Sequence, residues 1–190
     1  MKIKIFIIGY FALLLIGCSS IGEAIYGTNF SISEASCSKF MEKIDTDNEI
    51  IDMDVESYKF FLKNKLDSIH IKNFYQPLQV LTFVKGNLFS HSVNCYLTGF
   101  PNLEWNFKVE DKCKLSGNTV SLPQIEISDY LFHVNNSSSK AKITEEVVVI
   151  VHINCTMGRQ SLCLIESIKN LDLQCKVLYI NNSSFYLENE

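Results

Sequence analysis

Cysteine, asparagine and histidine are the residue types here whose number and spacing could carry chemistry. Seven cysteines occur. Cys18 falls in the leading apolar stretch, and the other six are Cys37, Cys95, Cys113, Cys155, Cys163 and Cys175. An even cysteine set behind a leader reads as a disulfide framework, and sequence leaves its connectivity open. Six Asn-x-Ser/Thr sequons begin at Asn29, Asn135, Asn136, Asn154, Asn181 and Asn182, each an acceptor pattern for an N-linked glycan. The four histidines, His70, His91, His133 and His152, lack the paired spacing of a zinc site, and no C-x-x-C accompanies them. His91 and His152 sit on strand-like runs, where a hydrogen-bonded histidine in or beside the core is the common outcome. There is no G-x-S-x-G, no G-x-G-x-x-G and no P-loop. Asp45, Asp47, Glu49 and Glu56 fall at loop positions 1, 3, 5 and 12 of an EF-hand, but Ile50 stands where that loop needs glycine, so the stretch reads as a solvated acidic linker. The expectation is a binding protein that is not an enzyme and holds no metal or other cofactor.

The chain opens on Met1-Lys2-Ile3-Lys4, a short positive segment, followed by an apolar and small run from Ile5 to Gly17. That is the layout of a secretory signal peptide, too short to span a bilayer. Cleavage after Gly22-Glu23-Ala24 is expected, and no later stretch suggests a transmembrane anchor. Leu15-Ile16-Gly17-Cys18 also has the form of a bacterial lipobox, against which the sequons argue. Removing residues 1–24 takes away Lys2, Lys4, Glu23 and Cys18 and leaves 15 basic and 20 acidic residues, a net charge of −5. Arg159 is the only arginine and the lysines are dispersed, so nucleic acid and anionic membrane surfaces are not expected partners.

Two regimes of apolar spacing follow. Over residues 30–69 the period is helical. Ser31 and Glu34 fit a capping box ahead of Cys37, Phe40, Met41 and Ile44, and Tyr58, Phe61, Leu62, Leu66 and Ile69 suggest a second helix. From Pro77 the period becomes two, clearest in Phe89, Val93, Cys95, Leu97 and in Leu103, Trp105, Phe107, Val109. Further strand-like runs are 119–122, 129–134, 147–154, 162–168 and 171–180. Residues 135–139, all Asn and Ser, read as an exposed loop. The expected organisation is a signal peptide (1–24), a helical N-terminal segment (25–76) and a β-domain (77–190).

The run Val93-Asn94-Cys95-Tyr96-Leu97-Thr98-Gly99-Phe100-Pro101-Asn102-Leu103-Glu104-Trp105, with Cys155 60 residues after Cys95, resembles the B to C hairpin of immunoglobulin-like domains. That resemblance implies a mainly β fold, an antiparallel β-sandwich, with Cys95 and Cys155 bridging two sheets and Trp105 packed across the bridge. Ile153 and Cys155 would then face inward and Asn154 outward, where a glycan is tolerated. Cys37, Cys113, Cys163 and Cys175 would form two more bridges, one stapling the N-terminal helix. Two other resemblances are shorter. Thr144 to His152, followed by Cys155 and Cys163, is similar to a late strand of nematode transthyretin-like proteins, which implies a small-molecule or lipid carrier. A helix ahead of Leu78-Gln79-Val80 and Val84-Lys85-Gly86 resembles cystatins, which implies a protease inhibitor. The immunoglobulin-like resemblance implies a secreted glycoprotein whose partner is an extracellular protein or cell-surface receptor, serving cell–cell or gamete recognition or acting as a secreted decoy.

Overall fold

A computed structural model describes residues 33–93, 105, 107–110, 114–116, 121–135 and 145–187. The longest β-branched run, Val147-Val148-Val149-Ile150-Val151, forms strand β6 (Val147–Ile153), whose residues from Val148 onward are buried in unbroken succession. A strand apolar on both faces needs a cover on both faces. Among the described residues the chain supplies this with six α-helices around a five-stranded mixed sheet of order β1-β7-β6-β2-β3.

In chain order these elements are α1 (Glu34–Met41), β1 (Ile50–Asp52), α2 (Val55–Lys65), α3 (Ser68–Phe74), β2 (Gln79–Val84) and β3 (Asn87–Val93). A two-stranded ribbon follows, β4 (Lys108–Glu110) with β5 (Lys114–Ser116), then α4 (Ile127–Asn135), β6, a short 3-10 turn (Cys155–Met157), α5 (Gly158–Lys169), β7 (Lys176–Asn181) and α6 (Ser183–Leu187). Strands β1, β7 and β6 run parallel, while β2 is antiparallel to both β6 and β3. The parallel pair β6 and β7 is joined through α5, the crossover helix that a parallel connection requires. The β2 to β3 hairpin turns on Lys85 (φ 49°) and Gly86 (φ 83°), two successive positive φ values of the kind that match strand twist.

Residue alternation divides the core into two layers. On one face Leu81, Phe83, Val148, Ile150, Leu178 and Ile180 meet the helices α2, α3, α4 and α6. On the other, Val80, Val149, Val151, Ile153, Val177 and Tyr179 meet Leu164, Ile165 and Ile168 of α5 and Leu115 of the ribbon. The helix ends follow from local chemistry. Ser33 caps α1 by accepting from the Ser36 N–H, Asp54 caps α2 through Ser57, and Asp67 caps α3 through Ile69 and His70. The single helix expected through Ile69 is therefore two, broken where Leu66 turns extended and Asp67 starts the next. The observed cap of α1 is Ser33 rather than Ser31, which lies outside the described residues.

These observations overturn the mainly β, antiparallel immunoglobulin-like sandwich. Runs 129–134 and 162–168 are helical, because their buried positions fall at helical steps: Ile127, Tyr130 and Val134 in α4, and Ser161, Leu164, Ile165 and Ile168 in α5. Residues 33–76 are built into the same body as the rest. Strand β1, inside the stretch read as an acidic linker, pairs Ile50, Ile51 and Asp52 with Tyr179, Ile180 and Asn181.

Cys37 is bonded to Cys155, with Cα atoms 5.1 Å apart and a separation of 118 positions in sequence. This excludes the Cys95 to Cys155 bridge, and Cys95, Cys113, Gly99 and Pro101 lie outside the described residues. A bridge does staple the N-terminal helix, but through Cys155. Beside it the Phe40 ring lies on Gly158, where an added Cβ would meet Phe40 Cδ2 at 3.2 Å, so the missing side chain lets α1 close onto the start of α5. Trp105 is half-buried and stacks on Phe107, centroids 5.3 Å apart, against the α5 side of the sheet rather than across a disulfide.

Candidate functional site

The carboxyl ends of parallel strands in an open α/β sheet are where such folds place ligands, because the strands and the loops after them frame a crevice. Here β1, β7 and β6 end at Asp52, Asn181 and Ile153, and the antiparallel β2 begins beside them at Gln79. The chain fills that place with its own polar side chains. Asn154 Nδ2 donates to Asn182 Oδ1 at 2.8 Å, and Asn182 Nδ2 donates to the Pro77 carbonyl at 2.9 Å and lies 3.3 Å from His152 Nδ1. His152 Nε2 is 2.6 Å from the Tyr130 hydroxyl. The Ser161 hydroxyl bridges the backbone N–H and carbonyl of Asn154 at 3.0 and 2.8 Å, and the Cys155 N–H donates to Ser183 Oγ at 2.9 Å.

A second arm runs toward β3. His91 Nε2 is 3.0 Å from Gln79 Oε1, and Gln79 Nε2 donates to the carbonyls of Phe74 (2.8 Å) and Gln76 (2.6 Å). The Tyr58 hydroxyl donates to the same Phe74 carbonyl at 2.8 Å. The His91 ring lies against Phe74, centroids 4.4 Å apart.

Matching donors with acceptors fixes the proton positions. Asn182 donates toward His152 Nδ1, so the His152 proton sits on Nε2 and is given to the Tyr130 oxygen. The Tyr58 hydroxyl donates to the Phe74 carbonyl. Gln79 uses its amide nitrogen on carbonyls, so His91 donates from Nε2 into Gln79 Oε1. Both imidazoles are neutral in this scheme. Burial pushes the pKa of His91 down to about 3, with the charge of His70 adding to the effect. His152 is likewise brought to about 3, first by burial and then by His91. Burial raises Tyr58 and Tyr130 far above the ordinary phenol range.

His91, His152, Gln79 and Asn154 have no exposed surface, so proton transfer to a bound substrate would require the helices above them to part. What the cluster does as built is join α2, α3 and α4 to β2, β3, β6 and the end of β7. Hydrogen-bonded pairs in such a low-dielectric site are worth most when every member is satisfied.

The structure separates the other sequence candidates. Asn154 faces inward, contrary to the outward position expected beside Ile153 and Cys155. Asn182 is buried with it, and attachment of a glycan to either amide nitrogen would break the cluster. Asn181 is half-buried and donates to Asp52 Oδ1 at 2.8 Å, whereas Asn135 is exposed at the end of α4. Asn29 and Asn136 lie outside the described residues. His70 pairs with Asp67 at 2.7 Å and reaches Ser121, and His133 stacks beneath Phe60 with Asp129 3.7 Å away. Cys163 is half-exposed and outside any disulfide, in a groove of about 520 Å³ between α1 and α5 with Lys39, Lys43 and Arg159. Cys175 packs at the margin of the α5-side core. Among the described residues no group of three His, Cys, Asp or Glu is placed to hold a metal ion. Val84-Lys85-Gly86 forms the β2 to β3 hairpin, with Lys85 3.7 Å from Glu146.

Sequence reasoning marked His91 and His152 as core residues but missed Gln79, Tyr58, Tyr130 and Asn182. Their chemistry appears only when strand ends far apart in sequence meet.

On the outer surface of the helical layer, Phe60 of α2 and Phe132 of α4 are 54% and 46% exposed. His133 lies between their rings, 5.6 Å from Phe60 and 5.1 Å from Phe132. Comparison with models of known protein families, with curated proteins and with solved structures found no match.

Proposed function

We propose that the chain is a secreted α/β protein that binds an extracellular protein partner through the aromatic face of α2 and α4. The observation that carries this reading is the pair Phe60 and Phe132, held on two adjacent helices with His133 between them. Exposed aromatic side chains beside a polar rim have the composition of recognition surfaces, and the rim here includes Lys65 and Asp129, paired at 3.3 Å. The groups best suited to acid–base catalysis, His91, His152, Tyr58 and Tyr130, are sealed and hydrogen-bonded within the core, which favours binding over catalysis. Secretion is supported by the basic and apolar leader of residues 1–24 and by the disulfide between Cys37 and Cys155. No helix among the described residues is long and apolar enough to cross a membrane.

Photo-crosslinking tests this reading. A benzophenone amino acid is placed at position 60, at 132, and at the exposed Glu166 of α5 as a control, in the full chain expressed by cells of its own source. One protein captured from positions 60 and 132 and absent from 166 supports the aromatic face. Equal capture from all three positions, or capture from 166 alone, rejects it. The inhibitor reading retains one support, the exposed β2 to β3 hairpin. Inhibition of a cysteine protease that is lost on replacing Lys85 and Gly86 would favour that reading instead.

A further inference from the structure

His91 and His152 are the side chains of the helical-face cluster that stay neutral while buried and would gain a proton on release between pH 7 and pH 4, and each sits where a charge has no counter-ion among the described residues. Around His91 are Gln79 of β2, the Phe74 ring and, farther along α3, His70, itself paired with Asp67. Around His152 are Tyr130 of α4, Tyr58 of α2, Asn182 beyond β7, and His91. Among the described residues no carboxylate lies within ion-pair distance of either imidazole. Asp129, the acid of α4, is directed to Lys65 and His133.

Protonation would do more than place a cation in the core. A proton added at His152 Nδ1 faces the Asn182 amide N–H group, donor against donor. Asn182 cannot simply rotate away, because its oxygen holds Asn154 and its nitrogen holds the Pro77 carbonyl. A proton added at His91 Nδ1 finds no acceptor among the described residues. Both events strike the bonds that join α2, α3 and α4 to the sheet.

The opposite layer is held differently. There α5 packs through Leu164, Ile165 and Ile168, and the Cys37–Cys155 bond ties α1 to the start of that helix. Neither depends on a histidine.

The geometry points to an acid-sensitive latch: at neutral pH the His91 and His152 network clamps α2, α3 and α4 onto the sheet, and as pH falls toward 5 their opening is increasingly favoured while the α5 layer stays closed. This goes beyond the partner reading and does not rest on it. The sign follows from proton binding. The histidines hold fewer protons folded than solvated, so their contribution is complete above pH 6.5 and is lost as pH falls from 6.5 toward 3. At pH 5 the opening equilibrium is favoured by roughly 30-fold per histidine, and by about a thousand-fold for the pair.

The test is hydrogen–deuterium exchange read by mass spectrometry on the disulfide-intact full chain, at pH 7 and pH 5, corrected for the intrinsic pH dependence of exchange. Protection over 55–65 and 127–135 is expected to fall by up to about a thousand-fold, and over 158–169 by less than about threefold. Equal loss on both faces, or no loss on either, overturns the latch. In His91→Gln/His152→Gln the loss should vanish, and a folded double variant that still shows it also overturns the latch. Should that pair not fold, His91→Phe keeps a ring against Phe74 and should reduce the loss by about 30-fold. An undiminished loss in His91→Phe counts against the proposal in the same way.

Discussion

The two faces of the sheet are similar in apolar content and differ in how far their buried polar groups are bonded. Toward α2, α3 and α4, Gln79, His152, Asn182, Tyr58 and Tyr130 bond to one another and to the carbonyls of Phe74, Gln76 and Pro77. Toward α5, Thr82 Oγ1 and both amide atoms of Gln160 are buried with no partner among the described residues. In the helical-face cluster His91 Nδ1 also lacks a partner among the described residues, but the bonded members fix geometry, because any displacement strands a donor or acceptor at a cost of about 1–3 kcal/mol. An unsatisfied group contributes no such restraint. The α5 face is instead fixed by a covalent bond and by close aliphatic packing.

Breaking each support in turn tests that contrast, with urea unfolding at pH 7 as the measure. The largest effect is expected from Cys37→Ala, which opens a loop of 118 residues and should cost up to about 5 kcal/mol on chain-entropy grounds. A loss below about 1 kcal/mol would mean that aliphatic packing alone holds that face. Next comes Phe61→Ala. Phe61 is fully buried among the rings of Tyr58, Phe74 and Tyr130, and its removal should cost about 3–5 kcal/mol. Asn182→Ala should cost about 3 kcal/mol, since it strands Asn154 Nδ2 and the Pro77 carbonyl together. Thr82→Val, of nearly the same shape on the opposite side of the sheet, should be neutral or stabilising by about 1 kcal/mol, since it removes an unpartnered hydroxyl. If Thr82→Val instead destabilised as strongly as Asn182→Ala, the distinction between the faces would fail. The smallest effect, below about 0.5 kcal/mol, belongs to Glu56→Ala, which removes a largely exposed pair with Lys59.

The sequence was legible where one element decides its own outcome. The helical period of Tyr58, Phe61 and Leu62 gave α2, the alternation around Phe89 and Val93 gave β3, and Val147–Ile153 was seen as a strand. What misled was placing that run in an antiparallel β-sandwich. Five consecutive Val and Ile residues signal a strand covered on both faces, hence a sheet between helices. Runs 129–134 and 162–168 are short and apolar enough to fit either period, and only the sheet they pack on settles them as helices. Disulfide pairing was illegible for a different reason. Cys37 and Cys155 meet because α1 folds back over the start of α5, a contact between segments 118 residues apart that no local pattern encodes. The polar cluster escaped for the same cause: Gln79, Tyr130 and His152 come from three elements and Asn182 from the turn after β7, and each looks ordinary where it stands.

Peptide mass spectrometry on unreduced protein tests the architecture most directly. A linked pair of peptides carrying Cys37 and Cys155 is expected, with Asn154 and Asn182 free of glycan. A link from Cys95 to Cys155, or a glycan on Asn154, would contradict it.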